Sequence, residues 1–200
     1  MLARLLAQDG YRIVAVSDSG GVIHDPAGLD VAAVSAAKAA HGSVVAYESA
    51  ESIEEQELWG VPCDVLVPAA LEGAIDEREA AQVRAHLIAE AANGPCTPEA
   101  DLVLATNGVT VIPDVLASAG GVTVSYFEWT QNRARERWSE QRVARELDRR
   151  MRAAFDALWE YAAREHLPLR LAACALGIER LAEATRSRMM ASAEELTGTH

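Results

Sequence analysis

An α/β fold, with a parallel sheet followed by a helical layer, is what this sequence predicts. Three observations carry it. Short β-branched runs alternate with alanine-rich stretches over the first two thirds of the chain. Most runs stop at a turn signal of Gly, Pro, Asp or Asn. The last third drops these runs and carries apolar residues three or four apart instead. Alternating strands and helices predict a parallel sheet covered on both faces; the later spacing predicts amphipathic helices.

The elements follow in order. Arg12 to Val16 (RIVAV) reads as a buried strand ending in the turn Ser17-Asp18-Ser19-Gly20-Gly21. Leu29 to Ala40 reads as a helix stopped by Gly42. Ser43 to Ala46 reads as a short strand, and Glu51 to Trp59 as a small acidic helix or turn. Asp64 to Pro68 is the next strand, Glu77 to Arg84 a helix, and His86 to Ala89 a strand. The loop Asn93 to Pro98 leads into a short helix over Glu99 to Leu104 and a strand over Val109 to Ile112. From about Gln131 the chain reads as helical, with Leu147, Met151, Phe155, Leu158 and Ala162 on one face. His166-Leu167-Pro168 breaks it, and Leu169 to Arg188 makes a further helix. The expected organisation is therefore an α/β unit over 1–130 and C-terminal helices over 131–200 packed on it.

Composition narrows the function classes. The 200 residues carry 18 Lys and Arg against 30 Asp and Glu, a formal charge of −12. That balance argues against nonspecific nucleic-acid binding and against anionic membranes. No apolar run approaches the roughly 20 residues that span a bilayer, and the start MLARLLAQDG has no cleavable signal pattern, so a cytoplasmic location is expected. Cys63, Cys96 and Cys174 are odd in number and widely spaced, which argues against a disulfide framework or a CxxC zinc site. The histidines show neither HxxxH nor HExxH spacing, and no metal is expected.

Several residues stand out, each with a plainer alternative. Asp18 ends a strand, where dinucleotide-binding folds place an acid that accepts from the adenosine ribose hydroxyls. An Asp in a Gly-rich turn is the more common situation. The fingerprint GxGxxG is absent, since Gly20-Gly21 follows the strand that carries Asp18. Met1 to Gln8 reads as the back half of the helix that would follow such a loop. The chain is therefore expected to begin just after a phosphate-binding turn. Asn93-Gly94-Pro95 lies past a strand's carboxyl end, the edge where open α/β sheets bind ligands, although it is equally an ordinary turn. Gly120-Gly121 permits close approach of a ligand, but paired glycines also end helices. In Ser125-Tyr126-Phe127-Glu128-Trp129 no base accompanies the serine, so a nucleophile is not expected; burial of the aromatics is the plainer reading. Arg133 to Arg152 holds eight arginines and four acids, a net of +4, and could meet an anion or an acidic neighbour. Such runs are more often solvated helix faces.

Together the segments VAVSDSGGVIHDPAGLD (14–30), PCDVLVPAAL (62–71), AEAANGPCTPEAD (89–101), VIPDVLASAGGVTVSYFEWTQN (111–132) and LRLAACALGIERLAEA (169–184) resemble the C-terminal NAD-binding domain of the glutamate, leucine, phenylalanine and valine dehydrogenases. The segment VSYFEWTQN is similar to the glutamate-type branch. The resemblance runs in order along nearly the whole chain. It implies an α/β, Rossmann-like parallel sheet lacking its first strand, with a helical C-terminal layer. It also implies oxidative deamination of L-glutamate to 2-oxoglutarate and ammonium, with NAD as hydride acceptor, in homo-oligomers.

Carried over residue by residue, the resemblance assigns cofactor contacts to Asp18, Ser19, Ala69, Ala70, Asn93, Ser118 and Gly120. It assigns substrate contacts to Val122 and Ser125. A carboxylate at Asp18 would repel a 2′-phosphate and favour NAD over NADP. Ser118 stands where the family usually has Asn, Ala91 where Gly is common, and Gly73 where Asn is often seen. The family's catalytic lysine and aspartate belong to an N-terminal substrate domain, so no catalytic residue is assigned here. Without them the isolated chain is expected to give no turnover. Two rival readings are a non-catalytic binding or assembly module, complemented by a separate substrate-domain chain, and a remnant that binds nothing. The missing first strand would leave RIVAV and DVLVP as inner edges with no partner between them.

Overall fold

The computed structural model describes residues 1–197 of the chain. A short helix, α1 (Leu2–Gln8), precedes β1 (Ala15–Asp18), β2 (Gly21–His24), α2 (Val31–His41) and β3 (Glu51–Ile53). Next come β4 (Val65–Leu66), α3 (Glu77–Ala80), β5 (Leu87–Ala89), α4 (Pro98–Thr106) and β6 (Thr110–Ile112). Four helices close the chain: α5 (Asp114–Ala117), α6 (Ala119–Ala134), α7 (Glu140–Glu165) and α8 (Leu169–Thr197). The α/β class and the helical C-terminal layer are as the sequence predicts.

The strands form two three-stranded sheets. One is parallel, in the order β4-β5-β6, pairing Leu66 with Ile88 and Ile88 with Val111. The other is antiparallel, in the order β1-β2-β3, pairing Val16 with Ile23 and Ile23 with Ser52. The parallel sheet is thus smaller than the sequence suggests, because RIVAV does not cross over. It turns straight back through a hairpin at Ser19-Gly20, and Asp18 pairs with Gly21. Among the described residues β1 pairs only with β2, and β4 only with β5, so each has an unpartnered side.

Three local expectations are corrected. Ser43 to Ala46 is not a strand. Val44–Ala46 is a 3-10 turn whose first amide, on Val44, donates to the Asp18 carboxylate at 2.9 Å and is withdrawn from any ladder. Glu51 to Trp59 divides: Glu51–Ile53 pairs with β2, and only Glu55–Gly60 is helical, opened by reciprocal bonds between Glu54 and Glu57. The helical region begins at Ala119 rather than near Gln131, because the Gly120-Gly121 pair lies inside α6 and does not end a helix.

Helix ends follow their capping chemistry. The Asp30 carboxylate accepts from the amides of Ala32 and Ala33, both at 3.0 Å, to start α2, and Gly42 ends it at φ 89°. Thr97 and Pro98 start α4, and Ser139 starts α7. His166 takes a left-handed conformation (φ 56°) at the expected break, and Pro168 then forbids continuation of α7.

Both faces of the parallel sheet are covered. Ile75, Ala80, Ile88, Ala100 and Leu104 form a core in which Val111 takes part. The next residue of β6, Ile112, packs instead with Leu116, Leu158, Tyr161 and Ala172 from α5, α7 and α8. Consecutive strand residues point to opposite faces, so one core lies under α3 and α4 and the other under the C-terminal helices. A separate cluster of Ile23, Leu29, Val34 and Val44 holds α2 on the antiparallel sheet.

The arginine-rich run from 133 lies on the exposed sides of α6 and α7. It is laced by Glu146–Arg149 at 2.8 Å and Asp148–Arg152 at 2.9 Å, the solvated-face arrangement.

Candidate functional site: loops at the carboxyl ends of the strands

The loops after β4, β5 and β6 are bonded into one rim. The amides of Ala91 and Ala92 donate to the Pro68 carbonyl at 3.0 and 2.9 Å, joining the loop after β5 to that after β4. The Gly73 amide donates to the Gly94 carbonyl at 2.8 Å. The Gly94 amide in turn donates to Asp114 Oδ2 at 2.8 Å, which joins the loop after β6. Parallel strands end on the same side, so this rim is the sheet's ligand-facing edge.

The rim brings together most of the residues singled out on the cofactor side. Ala69, Ala70, Asn93 and Ser118 are all exposed on it, and Gly120 is half-buried just beyond. The Ser118 hydroxyl is engaged, donating to the Asp114 carbonyl at 2.6 Å. Val122 and Ser125 lie three apart on α6 and are exposed on one helical face, with Trp129 further along. The aromatics of this block divide. Phe127 is buried, as the plainer reading holds, whereas Tyr126 and Trp129 are each about half exposed.

Asp18 and Ser19 belong to the other sheet. Ser19 is exposed at the hairpin tip. Asp18 is a hub: Oδ1 accepts from the Gly20 amide at 2.8 Å and the Ser43 hydroxyl at 2.9 Å, and Oδ2 accepts from the Val44 amide and the Lys38 ammonium. A Cβ on Gly20 would collide with the Ser43 side chain, so only glycine lets the hairpin tip approach so closely. Burial pushes the Asp18 carboxyl upward, but bonds from Lys38, Gly20, Ser43 and Val44 outweigh it and hold the group well below its usual range. These four donors fill the four acceptor positions of a carboxylate. A ribose hydroxyl would therefore have to replace one, and the half-exposed Lys38 ammonium is the partner freest to leave.

A pH dependence follows. The folded carboxyl titrates below its ordinary value of 3.8, so above that value Asp18 contributes its full stability. As pH falls below it, the unfolded chain takes up the proton first and the contribution is lost. The urea midpoint is expected to fall less steeply with acid in Asp18→Asn than in the parent chain. Parallel slopes would contradict this.

Composition and spacing do not single out the charged groups that hold the rim. Glu90, fully buried, directly follows β5; its carboxylate accepts from the Asp114 amide and from Arg170, at 2.8 and 2.7 Å. Arg170 also forks onto Asp101, at 2.6 and 3.2 Å, and lies 3.6 Å from Asp114. The Glu90 carboxylate is also beside the Cys96 thiol. Burial first, and then this acceptor, push that thiol far up, so it stays protonated and unreactive. The sequence signal was an acid right after a buried strand. Nothing in it announces a partner 80 residues away.

The model of the glutamate/leucine/phenylalanine/valine dehydrogenase family matches residues 1–188. The chain belongs to that family. Within this dehydrogenase family it is 52% identical over 184 residues to the NADP-specific glutamate dehydrogenase A1 of Halobacterium salinarum, covering 91% of the chain and 44% of that relative. It is 46% identical over 187 residues to a Staphylococcus aureus NAD-specific glutamate dehydrogenase, covering 94% and 45%. The fold matches the hetero-hexameric glutamate dehydrogenase of Thermus thermophilus, crystallised in a leucine-bound form. The TM-score is 0.85 and the identity 40%, over 94% of this chain and 44% of that one. The chain thus spans less than half the length of the dehydrogenases it matches. No helix among the described residues is long and apolar enough to cross a membrane.

Proposed function

We propose that this chain is the cofactor-binding part of a glutamate dehydrogenase, acting in the oxidative deamination of L-glutamate to 2-oxoglutarate and ammonium. One observation carries the reading. The relatives at 52% and 46% identity are both glutamate dehydrogenases, and the matches span almost the whole chain. Residues 1–130 would hold the cofactor and residues 131–200 brace them, with α6 running across that division. The complete protein would work as an oligomer, as the hexameric Thermus relative does.

The rim fits a dinucleotide at its nicotinamide end. Asn93 and Ser118 are exposed there, and their backbones are fixed through Asp114. Asn93 would meet the nicotinamide ribose, while Ser118 and Gly120 would border the amide. Ala69 and Ala70 would leave room for close approach of the backbone. Val122 would line the substrate pocket, and the Ser125 hydroxyl would orient the substrate's side-chain carboxylate. When bound, the cofactor supplies the hydride acceptor.

At the adenosine end, Asp18 and Ser19 would meet the ribose. Lys38 bears on the choice of cofactor, since an ammonium against the Asp18 carboxylate offsets the repulsion that a 2′-phosphate would meet there. Both NAD and NADP are therefore acceptable ligands, with Lys38 supporting the phosphate. The relatives of both specificities agree with this wider reading.

Thermal melting with each dinucleotide tests the proposal. A ligand that binds only the folded state adds about 2.7 kcal/mol of stability at a hundred times its Kd. NAD or NADP is expected to raise the Tm, and an unchanged Tm across a wide range of both would overturn the reading. Lys38→Ala is expected to weaken NADP about tenfold, the scale of one lost charge-assisted bond, and to leave NAD as tight or tighter, since the ribose hydroxyl takes the position on Asp18 that Lys38 vacates. Equal effects on both would remove Lys38 from the site.

A further inference from the structure

The only link between the last helix and the loops after β5 and β6 in which a cation meets a buried carboxylate is Arg170, among the described residues. It is the second residue of α8 and is placed there by the break at His166-Leu167-Pro168. Its guanidinium reaches three carboxylates at once. Glu90 comes from the end of β5, Asp101 from α4, and Asp114 from the start of α5. Burial alone would lower the guanidinium's pKa, but the bonds it donates to Glu90 and Asp101 outweigh it and keep Arg170 charged.

Asp114 is where this charge meets the rim. Its Oδ2 accepts the Gly94 amide, its carbonyl accepts both the Ser118 amide at 2.8 Å and the Ser118 hydroxyl, and its own amide is held by Glu90. One residue therefore sets the peptide after Asn93 and the turn that carries Ser118. Without Arg170, three carboxylates would face one another with no ion-pair partner among the described residues. Glu90, which lies wholly out of water, could not stay charged without cost. Asp114 would then lose its fixed support.

We infer that Arg170 is a positioning residue: through Glu90 and Asp114 it sets the two cofactor-facing loops, and so couples the docking of α8 to cofactor binding. The inference rests on the proposed function for its cofactor half alone. A lysine cannot replace this arginine. It carries the charge, but as a single point that cannot fork onto Asp101 and reach Glu90 together.

The test uses the complete dehydrogenase, in which glutamate turns over, and two variants of it. Arg170→Lys keeps the charge and loses the fork. Tyr161→Phe removes a different tie of α8, the 2.8 Å bond from the Tyr161 hydroxyl to Glu179, and leaves the rim alone. Amide exchange is read at Gly94, Asp114 and Ser118, together with the Kd for NAD and the KM for glutamate. In Arg170→Lys, exchange at the three amides is expected to quicken about tenfold and NAD to bind about tenfold more weakly, with the glutamate KM nearly unchanged. In Tyr161→Phe all three readouts are expected to stay near the parent values, even where the Tm falls. Unchanged exchange in Arg170→Lys, or an equal response in Tyr161→Phe, overturns the inference. Faster exchange in a protein whose parent binds neither NAD nor NADP upholds the positioning role and overturns the proposed function instead.

Discussion

Produced by itself, the 200-residue chain is expected to oxidise no glutamate measurably, even where it binds the cofactor. The reason lies in what surrounds the exposed face of α6. Ser125 and Val122 offer a hydroxyl and an apolar wall, both exposed, and neither is an acid or a base. Deamination needs a group that takes and returns protons and a cation that stabilises charge developing on the substrate. The resemblance to the family places both, a lysine and an aspartate, in a different domain. General acid–base catalysis contributes roughly 10²–10⁴-fold, and a single electrostatic donor roughly 10²–10³-fold. Losing both leaves a rate below ordinary detection. The assay is NADH oxidation that depends on 2-oxoglutarate and ammonium. Turnover by the isolated chain would show that its own residues suffice, and would leave family membership untouched.

Removal of the Glu90 side chain is expected to be among the most damaging single changes in the molecule. Glu90→Ala strips the Arg170 guanidinium of its buried partner and leaves the Asp114 amide without its acceptor. Arg170 keeps its fork onto Asp101, so the cost is that of one lost charge-assisted bond, about 1.5–3 kcal/mol, together with the Asp114 amide left without an acceptor, about 1–3 kcal/mol. That is a large share of a typical total of about 5–15 kcal/mol. Glu90→Gln keeps an acceptor oxygen and the side chain's shape, so its loss should be clearly smaller. Urea unfolding of the three proteins decides the matter. A loss below about 1 kcal/mol in Glu90→Ala would mean that water or a shift of α8 satisfies Arg170 instead.

The parallel half of the sheet was legible because its strands are short, mostly apolar runs bounded by turn residues. HLIA and VTVI appear as β5 and β6, each one residue shorter, and of DVLVP only Val65–Leu66 is paired, as β4. The antiparallel half was legible only in part. GVIH at 21–24 lies between the turn at 17–21 and the Asp-Pro turn at 25–26, too short a run to be assigned an element from the sequence. Ser43 to Ala46 has strand composition and still becomes a 3-10 turn. Asp18, far away in sequence, draws in the Ser43 hydroxyl and the Val44 amide. Local propensity cannot register a competitor that arrives only on folding.

The sequence by itself determined the α/β class, the helical layer after it, the breaks at Gly42 and Pro168, and the family that its ordered segments resemble. These depend on periodicity and on turn and cap chemistry, which act within a few residues of one another. The tertiary structure alone decided that Asp18 is already saturated by protein donors. It alone decided that Asp114 sets the loops of Asn93 and Ser118, and that Arg170 closes onto Glu90 from the far end of the chain. The physical reason is range. A buried charge must find its counter-charge wherever packing places it, and that pairing follows from the arrangement of the helices on the sheet rather than from any spacing along the chain.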